Sequence, residues 1–217
     1  MKAVQMANKI DKEKLEYRVM KVNAVEQKDD QGAPLDTERM IIEGYAVLFD
    51  TPQTYQFGDV TYTEQINRGA LDNADMRRTV MRYNHNDSVF AMARVKNGSL
   101  VLTIDDIGLR VWAELLDTQS NRDLYRMIQS GLVDEMSFAF TVADNGDKWV
   151  YEDDYTKVTR EITAIDTLYD VAAVDNGFYE KTTLYARALE TVDAVKREAE
   201  QRKLELEREK AIAIASL

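Results

Sequence analysis

From residue 16 to residue 187 the chain alternates apolar and polar positions with a period near two, and it carries nearly all of its aromatic residues there. That period puts successive side chains on opposite faces of an extended backbone, so it predicts half-buried β-strands. Residues 16–25, 40–49, 89–95, 99–104, 109–115, 136–142, 148–151 and 158–174 show the alternation, or the Val, Ile and Tyr enrichment, of strands. Turn residues separate them at Asn97-Gly98, from Asp105 to Gly108 and from Asp144 to Asp147. Asn97-Gly98, between 94–96 and 99–102, has the form of a two-residue hairpin.

The period lengthens to that of a helix at one well-punctuated place. Ser120 is the expected N-cap, and Asp123 three residues on makes a variant of the capping box. Leu124, Met127 and Ile128 then fall on one face, and Gly131 ends the helix. A shorter helix is expected over 69–75. Residues 188–217 change character: they hold no Gly, Pro or aromatic residue and interleave both charge signs among strong helix formers. They predict a long solvated helix. Its apolar positions (Leu189, Val192, Val195, Ala199, Leu204 and Leu206) suit one side of a coiled coil rather than a buried core helix. The chain therefore divides into a loose leader (1–15), a β-rich domain (16–187) and a charged helical tail (188–217). There is no succession of βαβ units and no Gly-rich phosphate loop, which argues against a nucleotide-binding α/β fold. A mainly β fold of the α+β kind is expected.

Composition narrows the chemistry. With 217 residues, 45% of them hydrophobic, the chain can build one core plus an appendage. It has no Cys, hence no disulfide framework, thiolate nucleophile or Cys-based zinc site. A single His excludes a multi-histidine metal centre and leaves any Ser–His chemistry one base. The net charge of -11 argues against nucleic acid as the main partner, because phosphate binding needs clustered Lys and Arg. No apolar run approaches the roughly 20 residues of a membrane helix, and the N-terminal stretch lacks an apolar signal-peptide core. A soluble protein of a reducing compartment, with no membrane partner, is expected. The Asp-rich stretches lack the alternating ligands and closing Glu of a calcium loop and read as turns; no metal or organic cofactor is expected.

Three residues stand out as candidate chemistry. His85 lies where a short apolar stretch enters a polar turn; a neutral imidazole there serves as a general base or is simply a surface residue. Ser137 lies in the strand Met136-Ser137-Phe138-Ala139-Phe140. The alternation puts the large residues on the core side and leaves room beside Ser137. By itself that pattern reads rather as an ordinary serine on the solvated face of a half-buried strand. Asp170 interrupts the apolar strand Leu168-Tyr169-Asp170-Val171-Ala172, where a buried carboxylate needs a partner. Asp166, Glu161 and Asp87 are alternatives for a carboxylate that orients the imidazole.

Together these segments resemble the prohead (capsid-maturation) proteases of tailed bacteriophages. Asn84-His85-Asn86 is similar to the family's Asn-His-Asp segment, Met136 to Phe140 to its Met-Ser-Phe-Gly-Phe, and Leu168 to Ala172 to its Leu-Tyr-Glu-Val-Ser. Glu43-Gly44-Tyr45-Ala46-Val47-Leu48-Phe49 resembles its Glu-Gly-Tyr-Ala-x-x-Phe strand, and Glu64 to Leu71 its Glu-x-Ile-x-Pro-Gly-Ala-Phe stretch. The likeness spans about residues 40–187 in order. Departures are Asn86 for Asp, Ala139 for Gly, and Asp175-Asn176-Gly177-Phe178-Tyr179 in place of a Pro-Ala-rich turn.

The resemblance implies a partly closed β-barrel flanked by helices, related in fold to the herpesvirus assembly proteases. It implies a serine endopeptidase with Ser137 as nucleophile and His85 as base. The third member is a second His in the herpesvirus enzymes and falls at Asp170 here. Oxyanion donors are expected near Gly177–Tyr179. The implied substrates are phage scaffold and major capsid proteins, and the chain itself, inside the assembling procapsid in the host cytoplasm, with self-association. A non-catalytic scaffold or assembly protein with a protease-like fold is the alternative.

Overall fold

A computed structural model describes residues 14–21, 39–152, 155–175, 194 and 197–209, the side chains of 19–21 excepted. In chain order its strands are β1 (Glu16–Lys21), β2 (Met40–Leu48), β3 (Gln53–Phe57), β4 (Val60–Ile66), β5 (Val80–Tyr83), β6 (Ala93–Arg94), β7 (Leu100–Ile104) and β8 (Gly108–Leu115). Helix α1 (Gln119–Gln129) follows, then β9 (Glu135–Val142), β10 (Asp147–Glu152), β11 (Lys157–Ile162) and β12 (Ile165–Val174).

The strands form three sheets, ordered β1-β9-β12-β5-β6, β10-β11-β4-β3 and β2-β8-β7. The fold is mainly β, as expected. No closed barrel forms among the described residues, because each sheet ends on two edge strands instead of returning to its first. One core joins the sheets and α1: Ile42, Val47, Leu109, Val111, Leu124, Phe138, Phe140, Leu168 and Val171 are all buried in it. A fully buried side chain of this size contributes about 1.5–3 kcal/mol.

Several local expectations are corrected. The N-cap of α1 is Thr118, whose hydroxyl accepts from the Asn121 N–H at 3.3 Å; Ser120 lies inside the helix. Thr118 wins because its extended backbone (φ -127°) leaves the hydroxyl over the first turn. At the other end Gly131 takes φ +74°, and Leu132 N–H bonds to Met127 O while Gly131 N–H bonds to Ile128 O, a Schellman closure. Residues 69–75 form consecutive turns, not a helix. Asn97-Gly98 closes a one-turn 3-10 segment, Val95–Asn97, and β6 pairs with β5, so no two-residue hairpin forms there. The stretch 89–95 yields only the two-residue β6, and Phe90 is 97% exposed. The run 158–174 divides into β11 and β12, which belong to different sheets. The β3–β4 hairpin was not anticipated. Its sequence signal is Gly58-Asp59, a two-residue connection between Phe57 and its partner Val60, with Gly58 at φ +59°. Gly108 is required where β2 bulges between Tyr45 and Val47: a Cβ at 108 would stand 1.8 Å from the Val47 carbonyl oxygen.

A buried charge cluster fastens β1 to the four-stranded sheet. Arg18 donates to Glu16 at 2.8 Å and to Glu64 through both Nε and Nη2. Arg160 donates to Glu16 at 2.6 and 2.9 Å, to Glu64 at 3.1 Å and to Asp147 at 2.8 Å. Tyr62 donates its hydroxyl to Glu64 at 2.7 Å. Burial works to raise the Glu64 carboxyl, but the Arg18 and Arg160 guanidiniums outweigh it and hold the group below its usual range. Residues 197–209 are helical and exposed, Leu204 and Leu206 included. The rest of the 188–217 tail apart from Ala194, and nearly all of the 1–15 leader, lie outside the described residues. No helix among the described residues is long and apolar enough to cross a membrane.

Candidate active site

The centre of the five-stranded sheet positions the site. In the antiparallel β9–β12 pair Ala172 stands opposite Ser137 and Asp170 opposite Ala139, so all four share one face. Tyr17 of β1, opposite Ala139, and Arg82 of β5, opposite Ala172, join that face. Met136, Phe138 and Phe140 point to the core on the other side, as the alternation predicts. Ala139 and Ala172 carry only methyl groups, which leaves space over the sheet for a ring. Ser137 is itself fully buried, contrary to a solvated face, because β1 and β12 flank β9 on both sides and His85 lies over it.

His85 comes from the turn after β5. Asn84 and His85 both adopt left-handed backbone, φ 49° and 51°, which turns the chain back over the sheet. That conformation costs a non-glycine residue free energy and needs restraint from its surroundings. Asn84 supplies it: its N–H bonds to Ala173 O at 3.0 Å, its amide Nδ2 donates to Asp175 at 3.1 Å, and its Oδ1 accepts from the Asp175 N–H at 3.3 Å. Tyr83 donates to the same Asp175 carboxylate at 2.7 Å, which pushes the phenol pKa up. The turn is thus clamped to the end of β12.

The imidazole stands between the other two candidates. Its Nδ1 lies 2.5 Å from Asp170 Oδ1 and its Nε2 lies 2.5 Å from Ser137 Oγ. An ionised carboxylate only accepts, so Nδ1–H donates to Asp170; Nε2 is left to accept the Ser137 proton. The Tyr17 ring meets the imidazole edge-on, with centroids 4.6 Å apart. His85 and Asp170 each keep 13% of their side-chain surface exposed.

Strand irregularity decides which carboxylate reaches the ring. The β9–β12 register slips between Ile165 and Thr167 and again between Leu168 and Asp170. The second slip lets Leu168 face the core and Asp170 the opposite side, two positions later. Thr79 donates its hydroxyl to the Leu168 carbonyl at 2.7 Å beside this bulge. Asp166 is exposed four residues away, with Thr167 donating to it, and Glu161 lies on β11 in another sheet. Asp87 is exposed in the loop after His85. Gly177–Tyr179 lie outside the described residues. Arg82 was missed by sequence reasoning: its Nε lies 3.9 Å from Asp170 Oδ2. A lone Arg at the end of a short strand carries no signal of such a role. Among the described residues no three His, Asp or Glu side chains gather as metal ligands.

Residues 23–198 match the family model of the caudovirus prohead serine proteases. No curated protein matches the chain. Among solved structures, the bacteriophage T4 capsid assembly protease, gp21, aligns over 73% of this chain and 98% of its own length, at 8% identity and a TM-score of 0.40.

Proposed function

Because the chain belongs to the caudovirus prohead serine protease family, we propose that it is a serine endopeptidase in which Ser137, His85 and Asp170 form the catalytic triad. One observation carries this reading: the unbroken hydrogen-bond chain from Asp170 through His85 to Ser137. Ser137 Oγ attacks the scissile carbonyl while His85 Nε2 takes its proton, and the imidazolium then delivers that proton to the leaving amine. Water attacks the acyl-enzyme with His85 again as base, which releases the acid product and restores Ser137. Asp170 holds the tautomer with Nδ1 protonated and stabilises the imidazolium charge. Backbone N–H groups near Gly177–Tyr179 serve the oxyanion, a contribution of about 3–4 kcal/mol per donor. Ser137 has no exposed surface, so neighbouring groups must give way as a peptide seats.

The substrates on this reading are phage scaffold and major capsid proteins and the chain itself, cleaved within the assembling procapsid. On the same reading the fold is related to that of the herpesvirus assembly proteases, with sheets that do not close into a barrel. The tail 188–217 tethers the enzyme to scaffold or to a second copy through Val192, Val195, Ala199 and Leu206. A scaffold that never catalyses has no need for the three side chains to converge, which favours the enzyme.

The test is co-expression with the scaffold and capsid proteins of the same phage, followed by mass spectrometry of the products. Ser137→Ala is expected to lower processing by about 10⁶-fold without loss of folding, since alanine fits the site. Processing that persists in Ser137→Ala removes the nucleophile. A chain truncated after Arg187 is expected to unfold at the same temperature and to keep its activity, yet to fail to enter shells; an unfolded truncation would place the tail inside the domain.

A further inference from the structure

We propose that Arg82 is a positioning residue for this triad, tying the Asp170 carboxylate to the loop that carries His85; this rests on the catalytic reading above. Arg82 lies on the triad face opposite Ala172, with only 20% of its side chain exposed. Its Nη1 donates to Asn86 O at 3.0 Å and to Val89 O at 3.4 Å. Those two carbonyls belong to the loop directly after His85. The same planar group turns its Nε toward Asp170 Oδ2 at 3.9 Å, while Asp170 Oδ1 receives His85. Each carboxylate oxygen thus faces one cation-capable group, and this restrains rotation of Asp170 about its last torsion. A guanidinium spreads its donors over a rigid plane, so Nη1 can hold the loop carbonyls while Nε leans on the carboxylate; a single ammonium nitrogen cannot stand in both places.

The position also sets charge. Among the described residues, Asp170 on β12 and Tyr17 on β1 meet the imidazole, Arg82 on β5 stands behind Asp170, and Asp87 follows two residues on in the same loop. Arg82 is a cation among these described neighbours. Its charge opposes formation of the imidazolium, and its removal makes His85 easier to protonate. The basic form of His85 is the working one, so the acid limb of activity moves to higher pH when Arg82 is neutralised.

The experiment measures the rate at which a fluorophosphonate probe labels Ser137 in the full chain, across about pH 5 to 9. Arg82→Gln is expected to slow labelling about tenfold and to raise the acid limb by about half a pH unit. Arg82→Lys keeps the charge: the limb stays at the wild-type position, and labelling still slows because one ammonium nitrogen cannot hold the loop carbonyls and lean on Asp170 at once. An unchanged rate and limb in Arg82→Gln overturn the proposal. So does an equal slowing in both variants with no shift of the limb, since that is a merely structural role. Where Arg82→Gln does not fold, Arg82→Met reads the limb in its place: a raised limb supports the proposal, and an unmoved one overturns it. Wild-type protein that is never labelled at Ser137 removes the catalytic reading itself, and the role of Arg82 with it.

Discussion

Strand β1 separates two polar networks built from the same kinds of residue. On one face Glu16 and Arg18 enter the cluster with Glu64 and Arg160; on the other, Tyr17 packs on His85. In the cluster Glu16 and Glu64 each meet both guanidiniums, and these four residues are below 10% exposed. In the proposed triad the carboxylate meets one imidazole closely and one arginine at 3.9 Å, and the chain of bonds runs on to a hydroxyl. A closed ring of matched charges has no proton to pass; it fixes geometry. A linear chain ending on a hydroxyl can move a proton from one end toward the other. Burial pushes the Tyr62 phenol up, and paired glutamates raise both arginines against the cost of their burial. Strong perturbation alone would point to the cluster, and its cause there is structural pairing.

The difference can be broken most sharply at the triad. Asp170→Asn is expected to cut labelling or cleavage by about 10⁴-fold, because the amide favours the wrong imidazole tautomer. Asp166→Asn is expected to leave the rate unchanged; the opposite pattern would show that the third member is Asp166. Next in size is the cluster. Glu64→Gln leaves Arg18 and Arg160 short of charge in a buried place and is expected to cost about 3–5 kcal/mol in urea unfolding.

The cluster also carries a signature in pH. Glu64 is depressed in the folded state, so its stabilisation is present above its unfolded value near 4.5 and is lost as pH falls through the lower folded value. The melting temperature of the wild type should therefore drop on acidification below about pH 4.5, and Glu64→Gln should flatten that limb. The smallest effect belongs to the clamp on the His85 turn. Asp175→Ala removes acceptors for Asn84 and Tyr83 and is expected to slow labelling about tenfold, with a stability loss of about 1 kcal/mol. An unchanged rate would show that β5 and β12 hold the turn unaided.

Much of the framework was legible in the residues. The alternation located β7 and β8 closely, because each has one face on the core and one period throughout, and it located β2 and β9 by their apolar runs, although β2 bulges and β9 is buried on both faces. Gly131 marked the end of α1 because only a left-handed residue closes that turn cheaply. The β3–β4 hairpin escaped because its strands are half exposed and rich in Gln and Thr, which weakens the contrast between faces. Glu16, Arg18, Glu64 and Arg160 escaped for a different reason. Spread over 144 positions from Glu16 to Arg160, they look like ordinary surface charges until two sheets bring them together.

By itself the sequence determined the alternation, the helix stop, and the residue types in five ordered segments that resemble one protease family. These are local properties, written within a few residues of each other. The tertiary structure decided what those segments do to one another. It placed His85 over the sheet through two left-handed residues held by Asp175, a partner 91 positions from Asn84. It chose Asp170 over Asp166 through a bulge, where a single extra residue exchanges the faces of the strand. It put Arg82 beside that carboxylate through a parallel pairing of β5 with β12. Register between distant strands depends on the packing of the whole sheet, and so no single segment contains it.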